Sequence, residues 1–220
     1  FNNLEILGRQ EMYYSYMGFK LGKYDKEKGI NITGDLDNTE GVIRGKEVTV
    51  GGNLTGNNKG KIDSIGALTF NGKTIVNKGG LISGNIQELN VDKLINDEGK
   101  LLSTEKISGT AKETSNKNGE ISGTEAVKLI GEKLNNLSGL IKSNGKITLG
   151  MKETSNVKGY ILSDGLTKED IKKEENKNQK DVKDDKNKEK GIEITGDLDN
   201  TEGVIRGREI SLGNLTGNNK

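Results

Sequence analysis

One phrase, Asn-x-x-Gly-x-aliphatic, recurs along this chain with spacings of 19, 20, 19, 20, 20 and 20, and that period limits the available folds more than any other feature. Its asparagines are Asn38, Asn57, Asn77, Asn96, Asn116, Asn136 and Asn156. Each is followed at the third position by glycine, from Gly41 to Gly159. Two positions beyond each glycine stands Ile43, Ile62, Ile82, Leu101, Ile121, Ile141 or Ile161. Two further on comes a small residue: Gly45, Ser64, Gly84, Ser103, Gly123, Ser143 or Ser163. Four positions thus stay in phase through seven consecutive units.

Between these marks the pattern has period two. Leu134, Asn136, Ile141, Ser143, Ile147 and Leu149 read as inward, and Lys142, Lys146 and Thr148 as outward. Short alternating runs broken by Gly-rich corners are strand patterning, with none of the 3.6-residue period of a helix. No helical segment is present to make the crossovers of an ordinary parallel sheet. The expected fold is therefore all-β: a parallel β-helix with about 20 residues and three short strands per coil, each strand pairing with its equivalent in the next coil. Scattered hairpins would leave the in-phase aliphatic file unexplained, and the L-x-x-L-x-L phrase of leucine-rich repeats is missing.

Stacking gives each repeated position a physical reason. Aliphatic residues about 4.8 Å apart form one apolar file, and Asn at a corner can bond its amide to the Asn above and below. The glycine that follows it is expected to supply a positive φ. The prediction is sharp: Ile82, Leu101 and Ile121 must lie in a single column.

The opening unit returns near the end of the chain. Residues 29–59 reappear as residues 191–220 with one glycine dropped and 5 of 30 aligned positions changed, which places Asn200 and Ile205 in the ladder. Three of the changes, Val48 to Ile210, Thr49 to Ser211 and Val50 to Leu212, keep the apolar, polar, apolar alternation. The lost glycine corresponds to Gly51 or Gly52, at a corner that can absorb one residue.

Two stretches break the pattern. Positions 166–190 hold 17 charges, 9 Lys against 8 acids, with only Leu166, Ile171 and Val182 apolar. Such a segment reads as a solvated spacer, either a disordered loop or a helix with ion pairs such as Glu169 to Lys173. Residues 1–28 also lack the ladder and end in the same KEKG as the spacer, so they read as the irregular end of a preceding insert. Their aromatic cluster, YYSYMGF, is expected to pack over an open end of the coil rather than to bind a ligand. The chain then divides into 1–28 irregular, 29–165 β-helix, 166–190 spacer and 191–220 the start of a next β-helical module.

Composition bears on function mainly by exclusion. With no His and no Cys, there is nothing for Cys/His metal sites, Ser-His-Asp triads or Cys nucleophiles. At average usage a chain of this length would carry on the order of ten prolines; this one has none, in keeping with a regular architecture. A net charge of +1 gives no reason to expect a nucleic acid partner. No long unbroken apolar run exists to span a bilayer. The chain has no initiator Met and no signal-like start, and it stops inside a repeated phrase, so it reads as an internal piece of something longer.

Many parallel β-helices cleave acidic polysaccharides, which requires clustered acids or a bound Ca²⁺. Here Asp35, Asp37 and Asp63 are the main ladder-region acids, with no recurring base or ligand cluster beside them, and Asp184 and Asp185 sit in the spacer. GGxGxD calcium repeats are absent. Thr55, Thr114 and Thr154 share the position two before Asn with Leu36, Ile75, Leu94 and Leu134; if that position faces inward, a flat Thr array for ice or another lattice is excluded. The sequons at Asn31, Asn53, Asn136 and Asn214 are accounted for by the high Asn content. No catalytic, cofactor-binding or metal-binding residue is assigned, and the expectation is a chain that is not an enzyme.

The phrases LDNTEGVIRG, LINDEGKLLS and LNNLSGLIKS resemble the repeats of the filamentous haemagglutinin family, large exoproteins of Gram-negative bacteria. The resemblance covers roughly residues 29–165 and 191–220. It implies a right-handed β-helical fibre, export through an outer-membrane two-partner secretion pore to the cell surface or medium, and adhesion to a receptor or glycan on host or bacterial cells. The family's other role, the stalk of a contact-dependent growth inhibition protein, would differ only in carrying a toxic module downstream. The family's amino-terminal secretion domain is not in this chain. A lack of Cys agrees with threading an unfolded chain through a pore, since disulfides would obstruct it.

Overall fold

The structure, a computed structural model, describes residues 29–174 and 191–217, together with the short strands Glu5–Leu7, Ser15–Tyr16, Phe19–Lys20 and Tyr24–Asp25. Glu5–Leu7 and the strands from Gly29 onward form a parallel β-solenoid of about eight turns, while Ser15–Tyr16 pairs antiparallel with Phe19–Lys20 as a separate hairpin and Tyr24–Asp25 runs antiparallel to Gly29–Ile32. A representative coil runs Glu120–Gly123, Ala126–Ile130, Lys133–Asn135 and then returns through an Asn-x-x-Gly turn. Some coils bend without losing strand geometry, so Lys61–Phe70, Leu81–Ile95 and Lys146–Ser155 each continue round a corner.

The aliphatic file is continuous. Ile43 pairs with Ile62, Ile62 with Ile82, Ile82 with Leu101, Leu101 with Ile121, Ile121 with Ile141, Ile141 with Ile161 and Ile161 with Ile205. From Ile62 to Ile161 every member is fully buried. A second file passes through Ile107, Val127, Ile147 and Ile192, and a third through Leu36, Leu54, Ile75 and Leu94. One narrow core therefore runs the length of the rod. Truncating a member of a file leaves a cavity that neighbours on paired strands cannot fill.

The turn chemistry differs from the sequence reading in one respect. The glycine at the third position after Asn does not hold a positive φ. The residue before it does in most coils: Glu40 at 57°, Lys59 at 55°, Glu98 at 58°, Asn118 at 52°, Ser138 at 55°, Lys158 at 54° and Glu202 at 55°. The glycine is required by close approach instead. A Cβ on Gly119 would overlap the carbonyl oxygen of Asn96 one coil below and the side-chain oxygen of Asn116, and Gly139 meets the same obstacle from Asn116 and Asn136. Each such coil thus tolerates a left-handed non-glycine residue, at a cost of about 1 kcal/mol or more, because the stacked turn leaves its neighbour no space for a side chain.

The position two before Asn also departs from expectation in one coil. Thr114 and Thr154 face inward and are 3% exposed, but Thr55 is exposed and Leu54 fills the file in its place. A register shift after the Leu36–Leu54 pair causes this, and the Thr55 hydroxyl donates to the Leu36 carbonyl at 3.1 Å. The second copy repeats the arrangement, with Thr216 donating to Leu198 at 3.1 Å. Of Thr55, Thr114 and Thr154, Thr55 alone faces outward.

The charged spacer leaves the rod at a corner and returns to the same stack. Tyr160–Leu162 pairs with Val204–Arg206, while residues 192–195 pair with residues 147–150, so the chain after the spacer completes the coil that Tyr160 began. Asn156 bonds directly to Asn200 although 44 residues separate them. The repeats on either side of the spacer therefore form one continuous stack. Within the region read as irregular, Glu5–Leu7 is a coil strand with Ile6 the partner of Ile43, and the chain rejoins the rod at Gly29–Ile32. Sequence missed it because no Asn-x-x-Gly precedes Ile6. The side chains of YYSYMGF lie outside the described residues.

The spacer opens as the helix Lys168–Glu174, capped by Thr167, whose backbone N–H donates to Asp170 Oδ2 at 2.9 Å while the Asp170 N–H donates back to its hydroxyl at 3.2 Å. The helix realises one of the two forms expected for the spacer, but the Glu169–Lys173 pair cannot be followed, since the Lys173 side chain lies outside the described residues. Ile171 is buried, and the Lys168 ammonium sits 4.5 Å from the Tyr160 ring centroid.

This packing can be tested at two places. Replacing residues 164–191 by the Asn-Gly-Lys that turns the corner at positions 144–146 should leave the β-sheet circular dichroism and cooperative melt intact; loss of the melt would show that the excursion holds the rod together. Thr114 and Thr154 each carry a buried hydroxyl with no partner. Thr114→Val should raise stability by about 1 kcal/mol in urea unfolding, because it removes an unsatisfied group with little change of shape.

Candidate functional site

The strongest side-chain constellation is the asparagine ladder. Asn38 Nδ2 donates to Asn57 Oδ1, and so on through Asn77, Asn96, Asn116, Asn136, Asn156 and Asn200, with every link between 2.6 and 2.7 Å. All seven links run in the same direction along the rod. The amides also reach the carbonyls of their own turn, as Asn96 does at Gly99, and of the following coil, as Asn96 does at Glu120. All of the ladder is buried, with Asn57 to Asn156 at 0% exposure. Every residue assigned to the ladder from sequence falls in it. Its chemistry is structural, because buried, mutually satisfied amides have no capacity left for a ligand.

Of the acids weighed for catalysis, Asp184 and Asp185 lie outside the described residues, and Asp35, Asp37 and Asp63 do not share partners. Asp35 accepts from the Asn53 N–H at 2.7 Å, Asp37 from the Thr39 N–H at 2.9 Å, and Asp63 from Ser83 Oγ at 2.6 Å and Arg44 Nε at 3.1 Å. Burial pushes the Asp63 carboxyl up, but the Ser83 hydroxyl, Lys61 and Arg44 together outweigh it and hold it below the usual value. The Thr39 hydrogen bonds lower Asp37, and the Thr201 hydrogen bonds lower Asp199 in the same way. Local donors thus favour the ionised form of Asp37, Asp63 and Asp199, the opposite of what a general acid requires. Among the described residues, no three His, Cys, Asp or Glu side chains group so as to hold a metal ion.

What the sequence reading overlooked is a trough of about 510 Å³ on the outer face of the third strands, rimmed by charged side chains. Along it run Lys93, Glu113, Lys133, Glu153 and Asp197, successive partners in register. Ser115, Asn135 and Ser155 line it beside them. One residue earlier on each coil is a second column, Asp92, Lys112, Glu132 and Lys152, with ion pairs at 2.7 Å for Asp92–Lys112 and 3.0 Å for Glu132–Lys152. The hydrogen bond to Lys112 lowers the Asp92 carboxyl, and the same bond raises the Lys112 ammonium. The sequence signal was available: the third and fourth residues before Asn96, Asn116, Asn136 and Asn156 alternate in charge from one repeat to the next.

Comparison with protein families, with curated proteins and with solved structures finds no match. Among the described residues no helix is long and apolar enough to cross a membrane.

The ladder makes a pH-dependent prediction. Asn116→Asp accepts from Asn96 as before, but in the ionised form it cannot donate to Asn136. Its carboxyl is buried, so its folded-state pKa is raised above the unfolded value of about 3.9. A raised acid favours the fold only while protonated. The stability deficit of Asn116→Asp relative to the parent should therefore be several kcal/mol at pH 7 and shrink as pH falls towards 4. A deficit that does not change with pH, measured by urea unfolding, would refute a donating role for Asn116.

Proposed function

We propose that this chain is a segment of a structural, adhesive fibre on a large bacterial exoprotein, secreted or held at the cell surface, that attaches its cell to host or neighbouring cells. The observation that carries the reading is the uninterrupted stack. A narrow core and a single amide ladder continue from Asn38 to Asn200, straight across the charged excursion that ends at Gly191. A rod built this way gains reach by adding coils, each supported only by its neighbours. The LDN-x-x-G-x-I phrases supply the haemagglutinin-like likeness. In this reading the chain leaves the cell unfolded through an outer-membrane pore, and sequential coil-on-coil folding suits a chain that emerges end first. The receptor would be a protein or glycan on the facing cell.

Two measurements test this. Antibodies raised against residues 29–165 should label intact cells that make the protein; label that appears only after permeabilisation would sink the surface assignment. Beads coated with the chain should bind target cells several-fold above beads coated with an inert protein, and equal binding would remove the adhesive role.

A further inference from the structure

The two charged columns beside the trough form a chequerboard. Along one, Lys93, Glu113, Lys133 and Glu153 alternate in sign; along the other, Asp92, Lys112, Glu132 and Lys152 alternate in the opposite phase. All but Asp92 are exposed, and Asp92 is half-buried. Now place a two-fold axis along the strand direction, midway between the coils of Glu113 and Lys133. It lays a second rod antiparallel to the first and reverses the order of coils while keeping each column opposite itself. Glu113 then meets Lys133 of the other copy, and Lys93 meets Glu153. Lys112 meets Glu132, and Asp92 meets Lys152. All eight charges find an opposite sign.

The same operation acts on the turns bordering the trough. Glu98 and Lys158, exposed on left-handed turn residues of the first and last of these coils, are exchanged, and Asn118 is set against Ser138. Asp97 and Lys117 fall opposite the apolar Val157 and Leu137, but Asp97 is already engaged by the Ser115 hydroxyl at 2.6 Å and the Lys117 N–H at 3.0 Å. Alternation within a column also spares a single rod like-charge neighbours, and ion pairs such as Lys133–Glu153 at 3.4 Å use it. Those pairs align the side chains along the rod.

We infer that this face is a self-recognition surface, through which two copies of the chain associate side by side and antiparallel. Its partner is defined by charge: a second copy, with the coil order inverted. Four rungs span only about 14 Å, so a single pairing is weak and salt-sensitive, as expected of an interface well below about 1,200 Å². The inference goes beyond the fibre reading and is independent of it, since it concerns the rod in solution.

Sedimentation equilibrium on the whole chain tests it. At about 0.01 M ionic strength, where charges act over about 30 Å, the average mass should rise with concentration towards that of a dimer; at about 1 M it should return to that of a monomer. Lys133→Glu alone and Glu113→Lys alone should each weaken self-association at least about tenfold, since each turns two contacts of the pair repulsive. Mixing the two variants should restore it to near the parent value, because the acid-rich strip of one then faces the base-rich strip of the other. Should a reversal fail to fold, Glu113→Gln and Lys133→Gln serve in its place, each expected to weaken association a few-fold. A parent monomeric at low salt, association that persists at about 1 M salt or in both variants, or a mixture no tighter than its components would each overturn the assignment.

Discussion

Every other feature of this molecule depends on translation: each turn of the chain is set on the next so that equivalent backbone groups hydrogen-bond and equivalent side chains touch. Once that is required, like must sit on like. The Asn column shows the consequence most directly, because an amide carries its acceptor and its donors on separate atoms and can accept from one neighbour while donating to the next along one axis. Seven links of 2.6 to 2.7 Å in one direction satisfy buried turns that water cannot reach. The glycine at each turn follows from the same closeness, since the carbonyl of the coil below occupies the place of its Cβ.

The same translation explains how the rod tolerates large excursions. A coil needs its strands in register, and it is indifferent to how much chain passes between them at a corner. Ile161 and Ile205 are partners across the charged spacer as readily as Ile121 and Ile141 are across one regular coil. Deviations from the ideal coil are also absorbed at corners: the shifted register beside Leu54, the missing glycine of the second copy, and the displacement of Thr55 to the surface all belong to the same part of the repeat.

Outside the core, translation turns sequence alternation into surface pattern. A charge in one repeat and its opposite in the next become neighbours about 4.8 Å apart. Individually such exposed pairs contribute little to stability. Arrayed in two out-of-phase columns, they give one face a code that a reversed copy of itself can read. A rod whose buried amide column is mutually satisfied has its recognition chemistry on that exterior and in the segments that leave it.

The repeat period, the inward files and the asparagine column were legible in the amino-acid sequence, because stacking demands the same residue type at the same phase and nothing else explains Ile82, Leu101 and Ile121 together. Sequence also marked where the pattern stops. It misassigned the reason for the glycines, since close approach of a neighbouring coil and a positive φ leave the same residue behind. It missed the coil strand around Ile6 and the outward turn of Thr55, where register is settled by what lies above and below and local spacing is silent. It did not reveal that the charged spacer leaves the middle of a coil. That depends on which residues become neighbours across coils, and only the tertiary stack decides it.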